Sequence, residues 1–418
     1  MSKIDDLLKK HCPNGVEYVD FLSVCNYIRG ITYNKNDEIN NGAEGIGVFR
    51  ANNITLDSNT LNFDDVKVVS KDVRVKESQW LKKGDILICA GSGSKEHIGK
   101  VAFIFNDLNF TFGGFMGVIR PKQGNVNPNF LFHIMTSQMF KVHLAKASGA
   151  ASSTINNINN DTWKGFQIPV PPLEVQREIV QVLDSFTMLT AELSAEHSAR
   201  KKHYEYYRDQ LLSYNNVRGG LTFANPESVR WMSLKDCCVF SRGEYITKKD
   251  VSHGDIPVIL GGIEPAYYCD RYNHLGKCIV VSRSGANAGF VSYWDEKIFV
   301  TDGFMLDAKE TVSLRYVYHC LKNKQDDLHN MKRGGGVPHI SGEMLEKVKV
   351  PVPPIEIQNR IVKVLDNFDS ICSDLQIGLP AEIDARKKQY EYYRDLLLSF
   401  EPIGTVLAKQ ASKQASNN

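Results

Sequence analysis

Two sets of predicted loops carry side chains that can hydrogen-bond to base edges or to phosphates. Arginine, lysine, asparagine, serine and histidine make such contacts, and the glycines among them let the backbone approach a ligand closely. The first set is Arg50, Asn52, Ser92, Ser94, Lys95, His97, Ser152, Ser153, Asn156 and Asn157. The second set is Arg242, Arg283, Asn287, Lys332, Arg333 and His339. Any one loop could be a solvated turn, but the recurrence of these residue types in both halves favours a DNA-binding site in each half.

The sequence lacks the motifs by which common catalytic sites are found. The stretch from Gly93 to Lys100 is nearest to a phosphate-binding P-loop, but it has one residue too many, and Val101 stands where serine or threonine must bind magnesium. The signatures of α/β-hydrolases, zinc proteases and zinc deaminases do not occur. The repeated histidine, His133 and His319, lies in an apolar helical stretch, where a hydrogen-bonded core role is expected. We therefore expect a protein that is not an enzyme and binds neither a metal nor a cofactor.

Composition restricts the partners and the compartment. The formal net charge is only +2, whereas a protein that bound nucleic acid through phosphates alone would usually be more basic. A basic footprint must therefore be local or shared with a partner. The nine cysteines include no CxxC pair, which predicts reduced and mostly buried thiols in the cytoplasm. No run of about 18 apolar residues and no secretory signal occurs, so we expect no membrane span.

A long phrase occurs twice in the chain. The segment 168–214 contains IPVPPLEVQ and ARKKHYEYYRD, and the segment 350–400 contains VPVPPIEIQ and ARKKQYEYYRD. Upstream of each phrase, the stretch from Val16 to Gly30 matches the stretch from Val229 to Gly243, so that Arg29 corresponds to Arg242. The protein is thus a tandem duplication, which can place two similar surfaces around a pseudo-twofold axis, as a homodimer does.

The repeated segments are predicted to be helical. Apolar and aromatic residues recur at spacings of four and three, which is a heptad seam. Two such seams predict an antiparallel coiled coil, with Tyr204, Tyr207, Tyr390 and Tyr393 facing the partner helix. Tyr206 and Tyr392 should then point away from it and dock other subunits. In the second copy an insertion with Gly378 and Pro380 predicts a kink or break.

The remaining sequence predicts strand-rich α+β domains. Short β-branched and aromatic runs lie between glycine, asparagine and aspartate clusters, and two stretches are predicted helices, 131–144 and 314–321. The predicted strands are 66–69, 86–89, 101–105, 110–112, 256–260, 278–281 and 290–294. The predicted division is a first domain (1–167), a first helical spacer (168–214), a second domain with a preceding linker (215–349), a second spacer (350–400) and a flexible tail (401–418).

The chain resembles the specificity (S) subunit of Type I restriction–modification systems. The resemblance rests on Cys12-Pro-Asn-Gly-Val-Glu-Tyr, on the duplicated PVPP phrase and on the ARKK-x-YEYYRD motif near each helix end. It implies two target-recognition domains, each reading half of a bipartite DNA sequence, separated by two long conserved helices. It also implies partners: two methyltransferase (M) subunits, which would hold S-adenosylmethionine, and restriction (R) subunits. The alternatives are a single-chain DNA methyltransferase or nuclease with a degenerate site, and a bivalent protein-binding adaptor.

Overall fold

The chain divides into two units, with boundaries at Glu192 and Ile383. The computed structural model describes residues 2–39, 44–55, 58–93, 95–149, 157–213, 228–247, 249, 252–262, 264–334, 337–373 and 378–406. Unit 1 consists of Met1–Glu192 and Asp384–Asn418, and unit 2 consists of Leu193–Ile383. Each unit therefore contains one globular domain and parts of both predicted spacers.

The first half of the chain contains five α-helices and ten strands in its described residues. The helices are α1 Ser2–His11, α2 Phe21–Val24, α3 Pro128–Thr136, α4 Gln138–Gly149 and α5 Leu173–Leu212. The strands are β1 Tyr18–Asp20, β2 Cys25–Arg29, β3 Glu38–Ile39, β4 Ile46–Phe49, β5 Lys67–Val69, β6 Ile86–Cys89, β7 Val101–Phe103, β8 Phe110–Phe112, β9 Met116–Pro121 and β10 Gln167–Pro169. Single 3₁₀ turns occupy Lys35–Asp37, Ala51–Asn53, Glu77–Gln79, Lys95–His97 and Asn160–Trp163.

The second half continues with six α-helices and nine strands in its described residues. The helices are α6 Leu234–Cys237, α7 Leu314–Asn323, α8 Gln325–Asn330, α9 Gly342–Glu346, α10 Ile355–Ser373 and α11 Leu379–Leu397. The strands are β11 Arg230–Ser233, β12 Cys238–Arg242, β13 Ile256–Ile259, β14 Tyr267–Cys269, β15 Lys277–Ser282, β16 Val291–Asp295, β17 Phe299–Val300, β18 Gly303–Ala308 and β19 Lys349–Val352. All seven predicted strands are confirmed to within two residues at either end.

One predicted helix is wrong in its continuity. The stretch 131–144 is two helices, because α3 ends at Thr136 and α4 begins at Gln138. Ser137 between them is extended, with φ −75° and ψ 165°. Its hydroxyl donates to the carbonyl oxygen of Ile134 at 2.7 Å, and its backbone N–H donates to the same oxygen at 3.1 Å, so Ser137 caps the end of α3.

The two units share one sheet topology. In unit 1 an antiparallel sheet has the strand order β2-β9-β6-β7, and in unit 2 the order is β12-β18-β15-β16. A second sheet contains β5-β4-β8 in unit 1 and β14-β13-β17 in unit 2, and its last pair is parallel in both. The pairs β1-β10 and β11-β19 also correspond, and β3 is an additional strand beside β5. The duplication predicted from the sequence is therefore confirmed at the level of strand order.

Both faces of the antiparallel sheet are buried. In unit 1 the side chains of Ile86 and Ile88 share a core with Ile179 of α5, whereas Leu87 and Cys89 pack on the second sheet. This alternation is the two-residue period of a strand. Because each fully buried aliphatic side chain contributes roughly 1.5–3 kcal/mol, the two cores stabilise the sheet from both faces.

The spacers are helical, and the second is interrupted as predicted. Helix α5 has 40 residues and extends about 60 Å at 1.5 Å per residue. The second spacer is two helices, α10 and α11; Gly378 is a bend outside both, and Pro380 stands in the first turn of α11, where a missing N–H is tolerated. In unit 2, α5 runs antiparallel to α10, since His197 bonds to the carbonyl of Cys372 at 2.8 Å while Tyr207 stacks on Phe368 at 5.9 Å.

Part of the predicted tail is tied to unit 1. The backbone N–H of Val16 donates to the carbonyl of Glu401 at 2.9 Å, and the Tyr18 hydroxyl donates to the carbonyl of Phe400 at 3.0 Å. Residues 407–418 lie outside the described part of the chain.

Most of the cysteines are buried thiols, as the sequence predicts. All nine cysteines are free thiols, and all but Cys12 are buried. Burial raises the pKa of the Cys25 thiol to about 12, so it stays protonated and unreactive at neutral pH. Among the described helices none is both long and apolar enough to cross a membrane.

Candidate nucleic-acid interface

An open groove in unit 1 brings five predicted residues together. It has a volume of about 1400 Å³ and is lined by the ends of β2 and β4, by the turn after β6 and by the turn before β9. The predicted residues in it are Arg50, Asn52, Ser92, His97 and Asn157. Of Lys95 only the backbone is described, in the 3₁₀ turn Lys95–His97, and Ser94, Ser152, Ser153 and Asn156 lie outside the described residues.

The positive charge of Arg50 is shared with a carboxylate. Its Nη2 lies 2.9 Å from Oδ2 of Asp65, which also accepts a hydrogen bond from the Asn52 amide at 2.9 Å. Both Arg50 and Asp65 retain solvent contact, and an ion pair of this kind is worth little. A DNA phosphate at Arg50 would therefore compete with Asp65 rather than meet a free cation.

The groove also contains Arg29, which was not among the predicted binding residues. Its Nε donates to the carbonyl of Gly114 at 3.3 Å, and its Nη2 donates to Oδ1 of Asn157 at 3.4 Å. Among the described residues no carboxylate lies within ion-pair distance of it, and its side chain is exposed. Arg29 could have been predicted from the match of Arg29-Gly30 with Arg242-Gly243, because Arg242 was among the predicted binding residues.

The glycine after each of these arginines is required by close backbone packing. A Cβ on Gly30 would collide with the carbonyl oxygen of Gly113, and one on Gly243 would lie 2.6 Å from the carbonyl oxygen of Val300. Both contacts bring the end of the strand against the backbone just ahead of the turn into β9 or β18. The Arg-Gly pair therefore places an arginine at the same corner in both units.

Unit 2 gathers its predicted residues at the corresponding place. The guanidinium Nε of Arg283 donates to Oδ1 of Asp302 at 2.8 Å, and the Ser284 hydroxyl also donates to Asp302. Arg333 and His339 exchange two backbone hydrogen bonds, of 3.0 and 2.9 Å.

The other predicted residues of unit 2 border this cluster. The Lys332 ammonium donates to the carbonyl of Ala286 at 2.7 Å, and Asn287 is exposed in the same turn. Arg242 is exposed at the end of β12, opposite Phe304. Among the described residues Arg242 makes no hydrogen bond or ion pair with its side chain.

The same backbone contacts build both clusters. Gly91 forms a β-bridge with Asn157 in unit 1, as Ser284 does with His339 in unit 2. The N–H of Ala90 donates to the carbonyl of Phe115, as that of Arg283 does to the carbonyl of Asp302. We name the clusters loop edge 1 and loop edge 2. Loop edge 1 is Arg29, Gly91, Phe115 and Asn157; loop edge 2 is Arg242, Ser284, Asp302 and His339. The two edges thus share a backbone plan and differ in side chains.

A buried glutamine joins each spacer to its globular domain. Gln176 and Gln358, the last residues of the repeated PVPP phrases, are fully buried. The Oε1 of Gln176 accepts from the backbone N–H of Asn127 at 2.8 Å, and that of Gln358 accepts from Ser313 at 2.8 Å. Asn127 and Ser313 are the N-cap residues of α3 and α7. The helix start in each domain is therefore fixed to the spacer by the same amide.

The repeated histidines make a second pair of such contacts, and the expected core role is confirmed. His133 lies 3.0 Å from Oδ1 of Asp184, and His319 lies 2.6 Å from Oδ1 of Asp366. Burial lowers the pKa of His319, which favours the neutral ring. The other ring nitrogen of His133 lies 3.0 Å from the Tyr390 hydroxyl, so Tyr390 contacts α3 as well as the helices.

The tyrosines of the ARKK-x-YEYYRD motif divide as the heptad pattern predicts, and Tyr390 contacts α3 in addition. Tyr204 and Tyr207 pack on Phe368, and Tyr393 stacks on Phe186. Tyr206 and Tyr392 point away and are 58% and 65% exposed. Each exposed ring meets the edge of the next tyrosine, at 5.5 Å in the first copy and 5.4 Å in the second. Their role in docking stays a prediction.

Comparison with known proteins decides the family. A model of the Type I restriction modification DNA specificity domain matches residues 13–200 and again residues 226–385. The chain belongs to this specificity-domain family. The two matches cover the two halves of the duplication, which agrees with the repeated strand order.

Curated relatives of this family resemble the chain over most of its length. A type I restriction enzyme specificity subunit from Escherichia coli is 36% identical over 282 residues, covering 60% of this chain and 66% of that protein. A putative type I restriction enzyme specificity subunit from Haemophilus influenzae is 31% identical over 299 residues, covering 66% of this chain and 73% of that protein. The match to the first of these spans just under two thirds of its length.

Solved structures share the two-domain α+β fold of the specificity-domain family. The crystal structure of a Type-I restriction-modification system S subunit from M. genitalium has a TM-score of 0.58 at 18% identity, covering 92% of this chain and 96% of that one. A chain from a study of complex assembly and conformational transition of the type I R-M system has a TM-score of 0.61 at 17% identity, covering 92% and 97%. These likenesses concern the fold, and they confirm the predicted fold class.

Proposed function

We propose that this chain is the DNA-reading specificity subunit of a Type I restriction–modification complex. Each globular domain reads one half of a bipartite DNA site through its loop edge. The observation that carries the proposal is the duplicated position of an exposed arginine, Arg29 at the end of β2 and Arg242 at the end of β12. In unit 1 this arginine bonds to Asn157, a residue of the bridge that builds loop edge 1. Arginine and asparagine are the side chains that most often pair bidentately with base edges.

The spacers have two further roles in this proposal. Their length sets the separation of the half-sites, as protein geometry does in DNA-binding dimers. The exposed rings of Tyr206 and Tyr392 help to dock two methyltransferase subunits, since aromatic side chains are frequent interface anchors. S-adenosylmethionine and the catalysis belong to those subunits, and restriction subunits join the complex in the cytoplasm.

Domain exchange tests the proposal. Residues 13–167 are replaced by the corresponding domain of a family member with a different half-site, and methylated adenines are mapped across the host genome. Only one half-site should change. The matched exchange of residues 227–349 should change only the other. An exchange that altered both half-sites, or neither, would contradict the proposed division of labour.

The alternatives give different results in simpler measurements. A single-chain methyltransferase would bind S-adenosylmethionine by itself, and we expect the purified chain not to bind it in calorimetry. A protein-binding adaptor would not retain DNA, whereas the assembled complex should retain it with an affinity that falls steeply with salt, because phosphate contacts release counterions.

A further inference from the structure

Arg29 differs from two other arginines of unit 1 in its charge balance. Arg50 is paired with Asp65, and Arg120 is paired with the buried Asp85 at 2.7 Å. The acceptors of Arg29 are neutral: the carbonyl of Gly114 and the amide oxygen of Asn157. In the described part of the chain, Arg29 is therefore the groove arginine whose charge is not compensated.

The two hydrogen bonds of Arg29 also orient its guanidinium. They use the Nε–H and one Nη2–H, which together form one edge of the planar group. Among the residues that the structure describes, none bonds to the remaining edge, formed by Nη1–H and the second Nη2–H. Its two parallel donors match the O6 and N7 acceptors that guanine presents in the major groove. The two neutral acceptors on the first edge fix the orientation of the guanidinium and do not neutralise its positive charge. A preorganised contact to a base needs both.

The position of Arg29 in the fold supports the same function. It ends β2, a strand at the edge of a four-stranded sheet, and its backbone carbonyl accepts from the Gln79 amide at 3.0 Å. Gly30 fixes the strand end against the turn that contains Gly114, which supplies one of the two acceptors. The guanidinium is thus supported by ordered backbone on the sheet side and open to the groove on the other.

We propose that Arg29 reads a guanine in the half-site of the first domain, through O6 and N7 in the major groove. This inference rests on the proposed function, because it assigns a base to the DNA-binding site of unit 1. Asn157 acts on this contact as a positioning residue, since its amide oxygen holds the guanidinium.

The experiment measures how tightly DNA analogues bind to the assembled complex in the presence of unlabelled S-adenosylmethionine. Affinity for the mapped target is measured with each guanine of the first half-site replaced in turn by 7-deazaguanine, which lacks N7, or by inosine, which lacks only the minor-groove amino group. At one position, 7-deazaguanine should weaken binding several-fold, and inosine should not. Arg29→Ala should weaken binding about 5- to 150-fold and abolish the effect of 7-deazaguanine at that position. Arg29→Lys should keep the charge and reduce the discrimination, because an ammonium lacks the rigid, planar pair of donors of a guanidinium.

Two controls separate the possible outcomes. Arg74→Ala removes an exposed charge of unit 1 that does not line the groove and should leave the 7-deazaguanine effect intact. Asn157→Ala should reduce the discrimination less than Arg29→Ala does, with complex assembly unchanged.

Three results would overturn the inference. The mapped first half-site could contain no guanine on either strand, Arg29→Ala could weaken all DNA sequences alike, or it could leave the 7-deazaguanine effect unchanged. If domain exchange still altered one half-site, only the Arg29 assignment would fail. If it altered neither, the proposed function would fail as well.

Discussion

Replacement of Gln358 by leucine should destabilise unit 2 and weaken recognition of the second half-site. The Oε1 of Gln358 accepts from the backbone N–H of Ser313, and its Nε2 donates to the carbonyl of Pro353, both at 2.8 Å. The side chain is fully buried, so water cannot replace these bonds. Each orphaned backbone group costs roughly 1–3 kcal/mol, and the apolar burial of leucine offsets part of the sum. We expect a net loss of about 2–4 kcal/mol in the free energy of unfolding.

The loss can be measured and located. For a unit of this size, Leu193–Ile383, each kcal/mol lowers the midpoint of thermal unfolding by roughly 2–4 °C. Hydrogen exchange of the assembled complex should show loss of protection at the start of α7, whose N-cap residue is Ser313. Methylation mapping should show relaxed recognition of the second half-site only.

Two matched variants make the test sharp. Asn359→Leu changes an exposed neighbouring amide in the same way and should alter the free energy of unfolding by less than about 0.5 kcal/mol. Gln176→Leu should reproduce the effect at α3 and the first half-site. Wild-type stability of Gln358→Leu, or equal loss of protection at α3 and α7, would refute the idea that this amide holds its own domain to the spacer.

Three further predictions concern pH, assembly and spacing. Because burial lowers the pKa of His319, the unfolded chain takes up a proton below about pH 6.5 that the folded chain does not. This contribution to stability is present above pH 6.5 and is lost as the pH falls through the folded pKa. His319→Gln should therefore flatten the dependence of the free energy of unfolding on pH. An unchanged dependence would contradict this prediction. Tyr206→Ala with Tyr392→Ala should weaken assembly with methyltransferase subunits in size-exclusion chromatography, and the lone chain should be poorly soluble; unchanged assembly would exclude this docking surface. Four residues inserted after Leu193 add about 6 Å of helix and should lengthen the DNA spacer by one to two base pairs, with both half-sites unchanged; a mapped site with the original spacing would refute this.

Periodicity predicted the fold well, because strands and spacers are local patterns tied to burial. The run Ile86–Cys89 is apolar at every position and forms the central strand β6 with both faces covered. Gly378 and Pro380 mark the helix break from their own backbone preferences. The division between α3 and α4 was missed because Ser137 interrupts an otherwise apolar helical pattern with one side-chain hydrogen bond, which no periodicity records.

The candidate site was predictable in its residue types but not in its charge balance. The partner of Arg50 is Asp65 and that of Arg283 is Asp302, both on other loops and brought near only by the fold. Sequence spacing therefore could not distinguish a paired arginine from a free one. The signal that could have found Arg29 is its correspondence to Arg242, which likewise ends a strand.

The two units share contacts between domain and spacer but differ in the side chains of their loop edges. Two contacts with the spacer are repeated: Gln176 and Gln358 each bond to an N-cap N–H, and His133 and His319 each bond to an aspartate. At the loop edges the backbone bridges repeat while the side chains diverge, so that Asn157 stands where unit 2 has His339. A side-chain change at a loop edge therefore leaves the spacer contacts and both cores untouched. Since these two repeated contacts use a backbone N–H and a histidine of the domain, neither of which lies in a loop edge, a domain with a different loop edge can keep them. This is the physical reason that half-site recognition should change by exchange of one domain without redesign of the helices.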